Sequence, residues 1–477
     1  MNSLFNNFNN QGIVSQVRND RMSSIAFISD NGIKATYGEV FQFSERIRKH
    51  ISDKPLIFSL CENTPGSLLG YFAFISNEAV PLMLDAKIDA ELLNNLLSIF
   101  KPNYVWMPDS MSPVFESKKV IFSEFGYSLH SFSAEKIQLN EELALLLTTS
   151  GSTGSPKLVR LSYKNIKANA ESIAQYLAIT SDEKPITSLP MHYSYGLSVI
   201  NSHLIKGATI LLSNHSVMQK EFWAFAQEQK ATSIAGVPYT YEILKRLRVF
   251  RMELPHLTTM TQAGGKLNAS LAKEYIEQAY ISGKRFIVMY GQTEATARMS
   301  YLPFEKALEK YSSIGIAIPG GSFKLINEGI EIEEPDTDGE LVYFGNNVSL
   351  GYAECQADLS KDDENHGVLY TGDIARRDKD GFYYITGRKK RFIKLFGNRI
   401  NLDATEQLLR NNLSGGEFVC AGEDDKMVIF TTAQNISNDI ISFIVDKMGI
   451  NKQGFLVKEI SFIPKNSSGK ILYTEFK

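Results

Sequence analysis

The segment Leu143-Ala-Leu-Leu-Leu-Thr-Thr-Ser-Gly-Ser-Thr-Gly-Ser-Pro-Lys157 constrains this chain more than any other. A short apolar run of strand type enters a loop of hydroxyl residues and glycines that ends on a lysine. Glycines at 151 and 154 let backbone N–H groups approach an anion closely, Ser150, Ser152 and Thr153 add hydroxyl donors, and Lys157 adds charge. A polyphosphate is the natural guest. The Walker loop, GxxxxGK[ST], has similar ingredients. Counted from Gly151, however, its second glycine falls on Pro156, and its final hydroxyl falls on Leu158, so that pattern fails at two positions.

Strand-like and helix-like patterns alternate around this loop. Ile25–Ile28 and Leu56–Leu60 are apolar runs of strand type, and Tyr104–Trp106 is a further strand. Thr36 through Ile51 is expected to be helical, with Thr36 and Glu39 spaced as a capping box and Val40, Ile47 and Ile51 on one face. Pro65–Ser76 and Ala90–Phe100 follow as helices. This rhythm predicts an α/β fold with mainly parallel sheets. From about Gly320 the texture changes to short strands (Ser322–Ile326, Gly339–Phe344, Phe382–Thr386) separated by Gly, Asp and Asn turns, a small β-rich subdomain. The basic stretch Gly387-Arg-Lys-Lys-Arg391 precedes a last segment with a helix at Ala404–Asn411 and strands at Met427–Thr432 and Val457–Ile463. The expected domains are therefore 1–387 and 391–477, joined at 388–390.

At 477 residues two or more domains are expected. Lys and Arg number 50 against 53 Asp and Glu, which gives no footprint for nucleic acid or an anionic membrane. Cys61, Cys355 and Cys420 lie far apart with no CxxC pair, so they are expected to be reduced thiols. The N-terminal stretch lacks the basic start and apolar core of a signal peptide, and no run approaches the ~20 apolar residues of a spanning helix. A soluble, cytoplasmic protein is the expectation.

Five more segments carry chemistry. Tyr290-Gly-Gln-Thr-Glu294 follows the apolar strand Phe286–Met289 and offers an aromatic face for a purine, a hydroxyl, and a carboxylate suited to Mg²⁺. Ala263-Gly-Gly-Lys-Leu267 is a glycine turn. Tyr370-Thr-Gly-Asp373 presents a short carboxylate suited to ribose hydroxyls. Gly387-Arg-Lys-Lys390 and Pro464-Lys-Asn-Ser-Ser-Gly-Lys470 complete the set. Taken singly, each also fits a plain turn or a solvated basic patch.

Together and in this order, these segments resemble the adenylate-forming superfamily of acyl-CoA synthetases, aryl-CoA ligases, luciferases and peptide-synthetase adenylation domains. Thr149 to Lys157 is similar to the signature TSG[ST]TGxPKG, with Leu158 at its last glycine. The remaining segments are similar to YGxTE, to GGxPL (loosely, through Lys266 and Leu267), to YxTGD with its following DxxGxxxxxGR run, and to PxTxxGK. Lys394–Ile400 is similar to KxxGxRI. The family's usual ExE spacing is reduced to Glu406 because Ala404 replaces the first glutamate, and Tyr473 lies where a family arginine often follows.

The resemblance implies a large N-terminal adenylation domain and a small mobile α+β C-terminal domain that turns about Lys390. It implies ATP and Mg²⁺, and an acid activated as its acyl-AMP with release of pyrophosphate. ATP or AMP would be met by Thr149, Ser150, Gly151, Ser152, Thr153, Gly154, Lys157, Gly264, Gly265, Lys266, Tyr290, Gly291, Gln292, Thr293, Glu294, Asp373, Arg388 and Lys470. Thr149, Lys157, Glu294 and Lys470 would be catalytic, and Glu294 would hold Mg²⁺. The acyl pocket would be built from His192, Tyr193, Tyr195, Gly196, Val237 and Pro238. Met191–Ser198 lacks the aspartate of amino-acid-activating relatives, so a substrate other than an α-amino acid is expected. Coenzyme A is the expected acceptor, with an amine or a carrier-protein thiol left open. A different ATP user, such as a kinase, and a non-catalytic nucleotide-binding relative are the readings outside this class.

Overall fold

The computed structural model describes residues 21–111, 119–148, 157–395, 398–423, 426–448, 451–465 and 471–476. Thr149, Ser150, Gly151, Ser152, Thr153, Gly154 and Lys470 lie outside the described residues. The chain forms two compact units. The first comprises Met1–Tyr311, Ala317–Ser322 and Phe344–Leu369; the second comprises Ser312–Ile316, Phe323–Tyr343 and Tyr370–Lys477.

The first unit carries two large sheets. One has the strand order Gly351–Ala353, Leu158–Ser162, Leu143–Thr148, Val80–Asp85, Leu56–Cys61, Tyr104–Pro108, Tyr127–Ser131, Val120–Glu124. Its centre is parallel and its flanks antiparallel. Every residue of Leu56–Cys61 is buried, as a central strand covered on both faces requires. The other sheet has nine strands, with a parallel centre built from Arg285–Tyr290, Thr259–Gln262, Ser233–Gly236, Pro185–Ile186, Ile210–Leu212 and Ile25–Ser29.

The helix Tyr37–Arg48 starts at the expected capping box: Glu39 N–H donates to Thr36 Oγ1, and Thr36 N–H donates to Glu39 Oε2. It ends three residues before Ile51. The helix Pro65–Ser76 takes Pro at its first position and buries every residue through Ile75, which explains an apolar pattern with no polar face. Ala90–Phe100 is capped by Asp89. Among the described residues, no helix is long and apolar enough to cross a membrane.

The second unit holds a five-stranded sheet ordered Ile330–Glu331, Gly321–Asn327, Gly339–Gly345, Val368–Arg377, Tyr383–Arg388. It also holds the hairpin Phe392–Leu395/Asn398–Asn401, the helix Leu402–Asn412, and a sheet of Phe418–Glu423, Lys426–Thr431 and Phe455–Glu459. The helix Ser437–Met448 has no counterpart in the sequence expectations. The last strand stops at Glu459, short of the expected Ile463. The second unit thus includes strands of the β-rich stretch together with the C-terminal segment. Asn401 links them locally, its Nδ2 donating to Thr386 O at 3.0 Å.

Glu406, the remnant of the ExE spacing, is a packing node. It is 2% exposed and accepts from Cys420 N–H at 2.8 Å, Arg410 Nη2 at 2.9 Å and Tyr473 Oη at 3.0 Å, and it pairs with Arg391. Arg391 also pairs with Asp403 at 2.5 Å, and its guanidinium carbon stands 3.8 Å from the Tyr473 ring centroid. Tyr473, standing where the family often has arginine, thus closes a buried ion network. All three cysteines are free thiols, with Cys61 and Cys420 buried.

Candidate active site

The ends of the hydroxyl loop are fixed by sheet pairing. Thr148 lies opposite Leu158 in an antiparallel ladder, so Lys157 enters a strand instead of the helix that follows a Walker loop. Lys157 Nζ stands 3.9 Å from the Tyr352 ring centroid and 3.5 Å from Glu354 Oε1. Lys157 and Glu354 are 43% and 61% exposed, so this pairing is weak and easily exchanged for a better anion. Tyr352 is supplied by the edge strand Gly351–Ala353, whose register places it opposite Val159. Its hydroxyl donates to Glu294 Oε1 at 2.8 Å. One tyrosine therefore carries the loop lysine on its ring and the candidate Mg²⁺ carboxylate on its hydroxyl. Sequence reasoning missed it; the signal was an aromatic residue directly after Gly351 in an otherwise small and apolar stretch.

Tyr290 ends the strand Arg285–Tyr290, and the chain reverses so sharply that Met299 N–H donates back to Tyr290 O at 2.8 Å. A Cβ at Gly291 would fall 1.8 Å from Ala297 O, so only glycine permits this turn. Gln292 Nε2 reaches Tyr290 Oη at 3.3 Å, and Thr293 Oγ1 lies 3.1 Å from Ser194 Oγ. Ser349 N–H donates to Glu294 O at 2.8 Å, which fixes the backbone under the carboxylate.

The candidate acyl pocket converges from three directions. Gly264 adopts φ +80°, and a Cβ there would lie 2.5 Å from Tyr193 Oη and 3.0 Å from Val237 Cγ1. Pro238 Cγ would lie 3.2 Å from a Cβ on Gly265, and Gln262 Nε2 holds the turn through Gly265 O at 2.9 Å. Lys266 follows this turn. Gly196 sits in the first turn of the helix Ser194–Leu204 against the Pro190 carbonyl. Tyr195 is 3% exposed, and its hydroxyl lies 2.9 Å from Thr261 Oγ1.

His192 Nε2 stands 3.9 Å from Asp85 Oδ2, while its Nδ1 is buried with no hydrogen-bond partner among the described residues. Burial pushes this imidazole below the usual histidine range, with Asp85 pulling the other way. Asp85, at the carboxyl end of the strand Val80–Asp85, was not anticipated, although strand ends of parallel sheets are where ligands meet α/β folds.

Asp373 and Arg388 belong to the second unit and are cross-strand neighbours, with Arg388 Nε 3.4 Å from Asp373 Oδ1. The two ends of the one sequence run from Asp373 to Arg388 are thus brought together as a cross-strand pair of a hairpin. Asp373 is 6% exposed, and its N–H donates to Thr371 Oγ1 at 3.1 Å. The backbone of Lys390 lies in a 3-10 turn, Lys389–Arg391. Lys465 and Ile471, described residues on either side of Lys470 in the sequence, form an isolated antiparallel bridge.

A family model for AMP-binding enzymes matches residues 14–353. A feruloyl-CoA synthase of Amycolatopsis is 29% identical over 71% of this chain and 70% of its own length. A 2-succinylbenzoate–CoA ligase of Bacillus cereus is 26% identical over 81% and 82%. Among solved structures, o-succinylbenzoate CoA synthetase from Bacillus subtilis, in complex with its acyl-adenylate, aligns with a TM-score of 0.78 at 20% identity, covering 98% of this chain and 97% of that one. ATP-bound MatB from Rhodopseudomonas palustris aligns at 0.79 with 19% identity, covering 100% and 98%. The matched span, with the fold and the ordered motifs, places this chain in the AMP-binding enzyme family, the adenylate-forming superfamily.

Proposed function

We propose that this protein activates a small-molecule carboxylic acid as its acyl-AMP, with Lys157, Tyr352 and Glu294 as the core of the phosphate site, and then passes the acyl group to coenzyme A in the cytoplasm. The observation that carries the reading is the Lys157–Tyr352–Glu294 unit, which sets a cation and a carboxylate at the end of the hydroxyl loop. A carboxylate is a poor electrophile, and a mixed anhydride with AMP gives it a good leaving group. The protein must align the carboxylate oxygen with the α-phosphate and neutralise charge as pyrophosphate leaves.

Lys157 exchanges Glu354 for phosphate oxygens, joined by the loop residues Thr149 to Gly154. Tyr290 offers its ring to adenine, beside the turn at Gly264, Gly265 and Lys266. Asp373 and Arg388 take the ribose hydroxyls, and Lys470 steadies the carboxylate and α-phosphate oxygens. Among the described residues no cluster of three or more His, Cys, Asp or Glu side chains is preassembled. Mg²⁺ would be held by Glu294 together with the phosphates of ATP, a mode this ion commonly uses. When bound, the ion neutralises phosphate charge. Tyr352 leaves Glu294 Oε2 for that purpose by engaging Oε1.

Residues 388–390 serve as the hinge between a domain of 1–387 and one of 391–477. The CoA ligases among the relatives support coenzyme A as acceptor; an amine or a carrier-protein thiol is the alternative. Pyrophosphate release across a panel of acids, repeated with coenzyme A and with amines, tests both halves. ADP as the product would mean a kinase, and a Lys470→Ala variant with unchanged adenylation would remove that lysine from the mechanism. The expected loss there is about 10²-fold or more in kcat. Lys390→Pro is expected to impair transfer more than adenylation.

A further inference from the structure

Two arginines are fully buried in the first unit, and they differ in one respect. Arg160 is 0% exposed and pairs with Glu364 at 2.6 Å. Arg298 is 2% exposed, and its partners are neutral: Ser198 Oγ accepts from Nε at 3.1 Å, while Tyr176 Oη and Met289 Sδ lie 3.2 and 3.4 Å from Nη1. The Tyr195 ring centroid stands 5.0 Å from its guanidinium carbon. Among the described residues no carboxylate lies within ion-pair distance of it, and no hydrogen bond from Nη2 is made. A buried cation without an anion is costly and is not retained for packing alone.

Arg298 borders a cavity whose wall also includes Val199, His203, Thr261, Arg285 and Glu183. Glu183 is engaged by the Thr232 hydroxyl and makes no ion pair with either arginine. A polar line also runs from the Tyr290–Glu294 loop to Arg298. Ser194, beside Thr293, and Ser198, bonded to Arg298, are one turn apart on the helix Ser194–Leu204. Asn169 closes this region: its Nδ2 donates to Arg298 O at 2.9 Å, and its Oδ1 is buried without a partner among the described residues.

We propose that the acid carries a second carboxylate, remote from the one that is adenylated, and that Arg298 receives it. The proposal rests on the adenylation reading above. Ser198 and Tyr176 orient the guanidinium plane, which leaves an edge for a carboxylate in the paired geometry arginine favours. The same residue rejects acids with an apolar tail, which would occupy the pocket and leave the charge unpaired.

The test compares pyrophosphate exchange by the full chain on α,ω-dicarboxylic and aromatic dicarboxylic acids with exchange on their monomethyl esters. Wild type is expected to favour the diacids by about 10²-fold in kcat/KM. Arg298→Met should abolish that preference while ATP affinity stays within about twofold, and Arg298→Lys should keep part of it. The empty Arg298→Met protein should melt no lower than wild type, because it loses an uncompensated charge. Equal use of diacids and esters by wild type would overturn the proposal. So would an Arg298→Met protein that melts lower yet keeps wild-type selectivity, which would make the arginine structural. Exchange with monoacids alone refutes this proposal and leaves adenylation standing; no exchange with any acid removes both.

Discussion

Two places in this molecule use the same three-part arrangement: a cation over a tyrosine ring whose hydroxyl binds a glutamate. In the first unit it is Lys157, Tyr352 and Glu294, with the ammonium 3.9 Å from the ring centroid and the hydroxyl 2.8 Å from the carboxylate. In the second it is Arg391, Tyr473 and Glu406, at 3.8 and 3.0 Å. The difference is solvent and closure. Arg391 is 12% exposed, and it also pairs directly with Glu406 and Asp403, so the network is sealed. Lys157 is 43% exposed and faces an exposed Glu354, so its charge is available to a ligand. The sealed version holds a fold together, and the open one is poised for exchange.

That contrast can be broken by substitution. Glu406→Ala leaves Arg391 and Arg410 without their shared buried anion. It is expected to cost about 3–5 kcal/mol in chemical denaturation; a loss below 1 kcal/mol would mean the network is not structural. Acid should strain the first unit through His203, which burial, assisted by Arg298, pushes down to about 4. Since the unfolded histidine titrates near 6.5, its contribution is intact above that pH and is lost as pH falls towards 4. The loss is about 3 kcal/mol. Unfolding free energies from pH 7 to 4 should show this slope, and His203→Gln should flatten it.

Tyr352→Phe keeps the ring under Lys157 and deletes the bond to Glu294. Adenylation is expected to fall about 10-fold, with a raised Mg²⁺ requirement and a stability change of about 1 kcal/mol. An unchanged Mg²⁺ titration would reduce Tyr352 to packing. The smallest effect belongs to Glu354→Ala, expected to alter stability by less than about 0.5 kcal/mol because an exposed pair is worth little. A larger loss would show that the open arrangement is also structural.

Legibility in the sequence followed the range of the interactions. Thr36 and Glu39, three residues apart, announced a capping box that forms as expected. Pro65 at a helix start and the apolar run Leu143–Leu147 were equally plain, because both signals are local. Ile51 and Ile463 were over-extended: apolar residues continue past element ends when packing, and not periodicity, uses them. Glu406 was legible as a departure from a pattern but not as a buried node, since its partners Arg391, Cys420 and Tyr473 come from separate elements.

By itself the sequence determined the α/β architecture and the ordered adenylation motifs, with the candidate residues proposed for phosphate, ribose and magnesium. These follow from periodicity, turn chemistry and short spacings that act along the chain. Only the tertiary structure decided who meets whom. It set Tyr352 against Glu294 across 58 residues, paired Asp373 with Arg388 across a hairpin, and buried Arg298 among neutral partners. Sheet register and burial make those choices. They depend on which strands become neighbours, and no local pattern records that.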